Sequence, residues 1–307
     1  MVKDTPGRKE AQEGYLHRAY AESLREFGDP LALERCGGWL LKRAIPQADD
    51  YDAMGCYPLF ACEDWSQLHV DLQKLQDELI SVSIVADPFG EFDIEYLREC
   101  FPDVVKPFKQ HFVIDLEQPL EVHPHHLRNV RKASQLVEVE HCPEPFQFLD
   151  DWIGLYQTLI DRYGITGIAA FSRTSFHSQL SVPGIHAFRA VENDTTVGML
   201  LWYKQGDRAY YHLGAYSPRG YELGASFVLF DYAIRYFCSR QLKWLNLGAG
   251  AGANNSDSGL TRFKQGWSNG VRTAYFCGRI FAREKYERLA AAINTDYFPA
   301  YRLGEFK

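Results

Sequence analysis

The sequence predicts an α+β fold of two tandem units, each a mixed and mostly antiparallel sheet flanked by helices. The chain has 307 residues, which suits two domains because domains commonly hold about 100–200 residues. The segment Cys142-Pro143-Glu144-Pro145 breaks regular structure and marks a boundary. Strand-like and helix-like runs occur on both sides of it. We therefore predict an N-terminal polar extension over 1–35, a first unit over 36–143 and a second unit over 144–307.

In the first unit, the spacing of apolar residues predicts the elements in chain order. A helical period predicts helices at 65–77 and 92–100, and a basic helix at 123–133. Apolar runs predict strands at 79–85 and 108–116, and alternation predicts an edge strand at 136–140. Two shorter apolar runs, at 39–41 and 58–60, precede them.

The second unit opens on a long amphipathic helix and continues with a three-stranded meander. The helix covers 146–163, a second helix covers 173–180, and the strands cover 185–191, 196–203 and 209–216. A loop at 217–224 then leads into a helix at 225–238. The remaining elements are a strand at 244–247, a Gly-rich run at 248–259, a helix around 262–266, a strand at 273–277 and a helix at 283–293. This order differs from a doubly wound sheet, which alternates strand and helix from its start.

Charge is divided unevenly along the chain. The formal net charge of −7 consists of −13 over residues 1–150 and +6 over residues 151–307. The split argues against uniform binding of nucleic acid or membrane by the whole chain, and it favours an anionic ligand in the second half.

Composition predicts a cytoplasmic protein without a membrane span. No stretch approaches the roughly 20 apolar residues of a spanning helix, and no apolar segment follows the basic residues of the N-terminus. The seven cysteines are scattered and form no CxxC pair, as expected of reduced thiols.

Three motifs of the second unit resemble the GNAT acyltransferase superfamily, and within it the FemAB-like branch of double-GNAT proteins. They are YYHLGAYSPRGYELGASFVLFDYAIRYF from Tyr210, KWLNLGAGAG from Lys243 and GLTRFKQGWSN from Gly259, which contains the pair Phe263-Lys264. The likeness covers residues 145–285 well and the first half loosely. It implies transfer of an acyl or aminoacyl group from an activated donor to an amine. We predict that acyl-CoA (acetyl-CoA) is the donor and a small-molecule or peptide amine the acceptor. The amine would attack directly, without a covalent enzyme intermediate, because the donor is already activated.

The resemblance also implies donor-binding residues where a strand leads into a helix. They are Leu213, Gly214, Ala215, Arg219, Gly220, Gly224, Ala225 and Ser226. Glycines before a helix leave backbone N–H groups for a pyrophosphate, and the same glycines also fit an ordinary turn. Glu222 stands where the usual GNAT cradle has its middle glycine.

Lys264 is the principal catalytic candidate. A fixed ammonium there would stabilise the oxyanion of a tetrahedral intermediate or hold a substrate phosphate, whereas most lysines lie in solvent. His212 is a candidate proton acceptor, or else a hydrogen-bonded core residue. Tyr211, on the opposite face of the same strand, is a candidate proton donor to the leaving group.

Acceptor-binding candidates come from both units. They are Arg128, Arg131, Asp257 and Arg262. Arg128 and Arg131 share one helical face, which would contact phosphates of an acceptor or of tRNA, or else lie in solvent beside local acids. Asp257, in the Gly-rich run, would orient an amine. Histidines 123, 125, 126 and 141 match no zinc spacing, so no metal is predicted.

Two other function classes stay open. One is an aminoacyl-tRNA-dependent transferase acting on a peptide or cell-wall precursor, and the other is a non-catalytic ligand-binding protein with the GNAT fold. The acidic first half disfavours extensive wrapping by tRNA, so the smaller CoA donor is preferred.

Overall fold

The computed structural model describes residues 12–46, 48–250 and 259–305. The α-helices in these ranges are α1 (Arg18–Ser23), α2 (Leu68–Lys74), α3 (Ile94–Cys100), α4 (Pro124–Ala133), α5 (Leu149–Tyr163), α6 (Arg173–Gln179), α7 (Pro218–Leu223), α8 (Ala225–Cys238), α9 (Gly259–Gln265) and α10 (Arg283–Ala290). The strands are β1 (Asp29–Leu33), β2 (Gly38–Ala44), β3 (Tyr51–Gly55), β4 (Ser81–Ala86), β5 (Val104–Asp115), β6 (Glu138–Cys142), β7 (Ile185–Glu192), β8 (Thr195–Gln205), β9 (Arg208–Tyr216), β10 (Trp244–Gly248) and β11 (Gly270–Ile280).

The eleven strands of the described residues form one sheet, in the order β1-β2-β3-β4-β11-β5-β10-β9-β8-β7-β6. Neighbours are antiparallel except β3 with β4 and β9 with β10. The predicted α+β class, a mixed and mostly antiparallel sheet flanked by helices, is thus confirmed. The expectation of one sheet in each half needs a correction, because β11 of the second half lies between β4 and β5 of the first. Strand β11 pairs with strands more than 150 residues away in the sequence, and no local sequence pattern predicts such pairing.

Helices cover both faces of the sheet and bury separate cores. Along β8, Leu201 and Tyr203 point into one core, and Leu200 and Trp202 point into the other, as expected from the two-residue period of a strand. Helices α5 and α6 supply the first core and α8 the second. None of the described helices combines the length and the apolar content that a membrane crossing requires.

Most predicted elements are present with small shifts at their ends. The predicted edge strand is β6, the last strand of the sheet, and the helix predicted at 225–238 is α8. The prediction of a loop at 217–224 is wrong, because α7 occupies it. The hydroxyl of Ser217 accepts a hydrogen bond from the Gly220 amide at 3.0 Å, and Pro218 takes the first helical position, where no N–H is needed.

Candidate active site

The sheet opens between β9 and β10. The two strands pair only where residues 244–246 lie beside 208–210. Strand β9 then continues to Tyr216 beside β8, while β10 ends at Gly248 beside β5. Beyond Tyr210, β9 therefore has an edge without a partner strand among the described residues. The predicted donor-binding residues along this edge are Leu213, Gly214 and Ala215.

A bulge in β9 lies at the start of this open edge. Leu201 and Trp202 are adjacent in β8, but their partners Leu213 and Tyr211 are two residues apart, so His212 is the extra residue. A bulge leaves backbone groups unpaired and redirects the strand. The bulge redirects β9 where the sheet opens, and the edge of β9 without a partner strand among the described residues offers backbone groups to a ligand.

Lys264 of α9 reaches into the opening and is only 5% exposed. Its Nζ donates a hydrogen bond to the Ala249 carbonyl oxygen at 2.7 Å and lies 5.2 Å from the centroid of the Tyr211 ring. Burial, with a smaller contribution from repulsion by Lys109, lowers the pKa of Lys264 to about 7. Gly248 also lies close, since a Cβ added there would be 3.2 Å from Nζ. The structure therefore places a buried amine, close to its titration point at neutral pH, beside the open edge.

Asn246 fixes the backbone turn that faces Lys264. Its Oδ1 accepts hydrogen bonds from the Gly248 amide at 2.8 Å and from His111 Nδ1 at 3.0 Å. The turn needs glycine, because Gly248 has φ of +74°. Burial lowers the pKa of His111 to about 4, so its imidazole stays neutral at pH 7. Sequence reasoning missed both side chains, although a polar Asn246 inside the apolar run WLNLG was a usable signal.

His212 and Tyr211 contact opposite cores. The Tyr15 hydroxyl lies 3.1 Å from Nδ1 of His212, and Oε1 of Gln179 lies 3.0 Å from its Nε2. Because Oε1 only accepts, Nε2 carries the proton and Nδ1 accepts from Tyr15. Burial lowers the pKa of His212 to about 3 and raises that of Tyr211. The contacts of His212 fit the core residue that the sequence left as the alternative.

Local contacts account for both Arg219 and Gly220. Arg219 forms ion pairs, and Gly220 packs closely against the backbone of β8. The Arg219 guanidinium contacts Glu192 at 2.7 Å and Glu222 at 3.0 Å, so two carboxylates occupy it. A Cβ on Gly220 would lie 2.0 Å from the carbonyl oxygen of Val197, and close packing alone therefore requires glycine there. Glu222, which replaces the expected glycine, serves as a partner of Arg219.

The start of α8 is the other predicted donor-binding position. Gly224, with φ of +70°, ends α7 and immediately precedes α8. Ala225 is buried, Ser226 is partly exposed, and no side chain of the described residues caps the helix. An uncapped first turn leaves N–H groups for solvent or a ligand.

Helix α4 joins the start of α8 to α9. The ring centroids of His126 and Phe227 lie 5.2 Å apart, and His126 Nε2 lies 2.8 Å from the Phe263 carbonyl oxygen. Arg128 and Arg131 are exposed on α4 and form no ion pair within the described part of the chain. Among the other acceptor-binding candidates, Arg262 is exposed on α9, and Asp257 lies outside the described residues.

The part of the chain that contains the site matches a known domain family. Residues 125–265 match the model of the acetyltransferase (GNAT) domain. This range runs from α4 to α9 and contains the opening, Asn246 and Lys264. A search of curated protein sequences found no match.

Solved structures share the fold over most of the chain. FemX has a TM-score of 0.65 at 14% identity, covering 93% of this chain and 95% of its own. The C-terminal domain of a lysylphosphatidylglycerol synthetase from Agrobacterium fabrum has a TM-score of 0.58 at 12% identity, with coverages of 89% and 90%. L-PGS from Bacillus licheniformis has a TM-score of 0.53 at 15% identity, with coverages of 89% and 94%. Residues 125–265 thus match a GNAT acetyltransferase domain, and the chain as a whole shares the overall fold of FemX.

Proposed function

We propose that the chain is an N-acyltransferase that moves an acyl group from acyl-CoA to an amine. The observation that carries the proposal is Lys264, a nearly buried amine beside the open edge of β9 in a domain that matches an acetyltransferase model. A buried charge without a carboxylate partner is costly, and no described carboxylate lies within ion-pair distance of Lys264. Such an arrangement favours a ligand or transition state that supplies negative charge.

In the proposed reaction, the acceptor nitrogen attacks the carbonyl carbon of the donor, the C–N bond forms and the C–S bond breaks. The ammonium form of Lys264 stabilises the oxyanion that develops on the carbonyl oxygen. The proton lost by the amine passes to water, since His212 contacts the opposite core. The leaving sulfur takes the phenolic proton of Tyr211, whose ring lies next to Lys264, and the phenolate then regains a proton from water.

The open edge of β9 supports the choice of an amide-bearing donor. Backbone N–H and C=O groups on an unpaired strand edge bind extended chains through paired hydrogen bonds, and the arm of CoA carries two amides. The first turn of α8 would then receive phosphate groups. We further propose that residues 144–307 bind the donor, that the first unit contributes to the acceptor site, and that the protein acts in the cytoplasm.

A second candidate donor is aminoacyl-tRNA. Two observations favour it: Arg219 is engaged by Glu192 and Glu222, and the Arg128 and Arg131 side chains are exposed on α4. The first weakens the usual pyrophosphate contact, and the second offers cations for a polynucleotide backbone.

The test combines binding and turnover. Thermal-shift screening with acetyl-CoA and longer acyl-CoA esters should raise the melting temperature, and thioester consumption should then follow with one of a panel of amines. Binding of charged tRNA, if tRNA is the donor, should weaken steeply between low and moderate salt, whereas CoA binding should weaken far less. Absence of a shift with every CoA ester, together with salt-sensitive tRNA binding, would replace the first donor with the second. If neither a CoA ester nor charged tRNA binds, the chain would be assigned to the non-catalytic ligand-binding class.

A further inference from the structure

Strand β5 of the first unit borders the opening on the side opposite β9. Strand β10 pairs with β5 only over residues 112–115, whereas β5 begins at Val104. Residues 104–111 therefore run past the end of β10, and on that side they have no partner strand within the described ranges. Their other side is paired with β11. The opening thus lies between β9, which we propose binds the donor, and a stretch of β5 that belongs to the first unit.

Lys109 is the cation that β5 supplies at this opening. It is half-buried, and its positive charge is, after burial, the second cause of the lowered pKa of Lys264. The pKa of His111 is lowered first by burial and then by the charges of Lys264 and Lys109. Because Lys109 and His111 are two residues apart, they lie on the same face of β5. Two ammonium groups, one from each unit, therefore converge beside one imidazole.

No carboxylate among the described residues balances these two charges. Lys109 forms no ion pair with any of them, and burial is the cause of its own lowered pKa. Its Nζ lies 5.3 Å from the centroid of the Phe108 ring, and such a cation–π contact offsets only part of the cost of burial. Acidic side chains are plentiful in this half of the chain, since residues 1–150 carry a net charge of −13. A buried cation without a counter-charge lowers stability, and a bound oxyanion would remove that cost.

We propose that Lys109 binds a carboxylate or phosphate group of the acceptor, so that the acceptor is an amine with an acidic group close to its nitrogen, as in an amino acid or an aminophosphonate. The inference rests on the proposed function, because it leaves Lys264 to the carbonyl oxygen of the donor. An oxyanion held on β5 would place the neighbouring amine between the two units, opposite the donor on β9. A polycationic acceptor, such as a polyamine or an aminoglycoside, would be repelled by both ammonium groups.

Binding of an acidic acceptor would also keep Lys264 charged. A nearby negative charge favours the charged form of a lysine. The bound oxyanion would therefore raise the pKa of Lys264 above the value of about 7 that burial and Lys109 give it. The ammonium that stabilises the tetrahedral intermediate would then be fully formed at neutral pH once the acceptor is in place. Acceptor binding and the charge of Lys264 would thus be linked through Lys109.

Matched acceptors that differ in charge test the proposal. Acylation of the full-length protein's acceptors with saturating acetyl-CoA would be measured for L-amino acids, their amides, 1-aminoalkylphosphonates, polyamines and aminoglycosides. We expect kcat/KM for an amino acid to exceed that for its amide by at least about tenfold, the effect of one charge-assisted hydrogen bond. Comparison of the amino acids with the aminophosphonates shows which oxyanion Lys109 prefers.

Variants at Lys109 assign the preference to this side chain. Lys109→Met should reduce the ratio of acid to amide to less than about threefold, with little change in the rate for amides. Lys109→Arg, which retains the charge, should keep most of the ratio and controls for folding. Lys106→Met is the matched control, since Lys106 is an exposed lysine on the same strand, with Nζ 5.7 Å from the Phe276 ring centroid. It should keep the wild-type ratio.

A binding measurement separates this inference from the proposed function. With CoA present to occupy the donor site, inorganic phosphate should raise the melting temperature of the wild type more than sodium chloride of equal ionic strength does, and Lys109→Met should lose this difference. A phosphate effect that depends on Lys109, without turnover of acetyl-CoA with any amine, would contradict the proposed function and leave Lys109 as an oxyanion site. An equal phosphate effect in both proteins, an unchanged ratio of acid to amide in Lys109→Met, or a preference for polyamines or aminoglycosides would overturn the inference.

Discussion

The two faces of β9 hold buried polar groups that differ in whether they have the partners their chemistry requires. On one face, both ring nitrogens of His212 have partners, Tyr15 and Gln179. On the other face, Lys264 has a carbonyl oxygen and an aromatic ring beside it, but no described carboxylate at ion-pair distance. A buried polar group whose hydrogen bonds are complete adds to stability, whereas a buried amine without a counter-charge lowers it. The contrast supports our proposal that the first face is structural and that the second is kept for function.

The largest effect is expected from Lys264→Met. Loss of one charged donor to an oxyanion lowers kcat by about 10²–10³-fold. The melting temperature at pH 7 should not fall, because the change removes a buried amine. The control is Lys243→Met, an exposed lysine next to β10, which should keep full activity. If Lys264→Met retained wild-type turnover, both faces of β9 would have only structural roles.

The same substitution alters the dependence of stability on pH. The pKa of Lys264 is about 7 when folded and lies near its ordinary value of 10.5 when unfolded. Between these values the unfolded chain binds more protons, so the free energy of unfolding of the wild type rises with pH in this window. Denaturant titrations at several pH values should show a smaller rise in Lys264→Met.

An intermediate effect is expected from Asn246→Leu. The substitution leaves the Gly248 amide and His111 without their acceptor, so the turn facing Lys264 shifts and kcat falls by about tenfold or more. Asn246→Asp keeps an acceptor and should retain the turn. If both variants turn over at the wild-type rate in steady-state assays, the turn does not position Lys264.

His212→Phe should separate stability from activity. Leaving Tyr15 and Gln179 unpaired in the core costs about 1–3 kcal/mol of the free energy of unfolding. The kcat of the folded protein should stay within about twofold of the wild type. A tenfold loss of kcat at unchanged stability would instead support the proton-accepting role that the sequence suggested.

The smallest effect is expected from Arg219→Ala. Because Arg219 is already paired with Glu192 and Glu222 on the surface, its removal should change the KM for acyl-CoA by less than about threefold. A rise of tenfold or more would show that the guanidinium leaves its carboxylates to contact the donor.

Local patterns in the sequence predicted much of the second unit. The spacing of Phe227, Phe230, Ile234 and Phe237 predicted α8, and the alternation around β6 predicted an edge strand. Helix α7 was missed although Ser217-Pro218 is a typical start of a helix and Gly224 a typical end. The position of β11 between β4 and β5 has no local signal, since strand partners distant in sequence are selected by packing of the whole sheet.

The candidate site was predictable only where its residues carry a motif. The pair Phe263-Lys264 was identified from the sequence, but the burial of Lys264 was not, because lysine is normally exposed. Lys109 carries no motif, and its position beside the opening depends on the register of β5 with β10, which the sequence alone does not specify.

The pH dependence of kcat/KM tests the central claim most directly, with wild type and Lys264→Arg compared on an acceptor amine that is deprotonated across the range. If the ammonium of Lys264 stabilises the oxyanion, the wild-type rate should fall as pH rises through about 7, the pKa of that group. A guanidinium stays charged, so Lys264→Arg should be slower and should lack this descending limb. A wild-type rate that rises through pH 7, or an identical limb in both proteins, would contradict the assignment of Lys264.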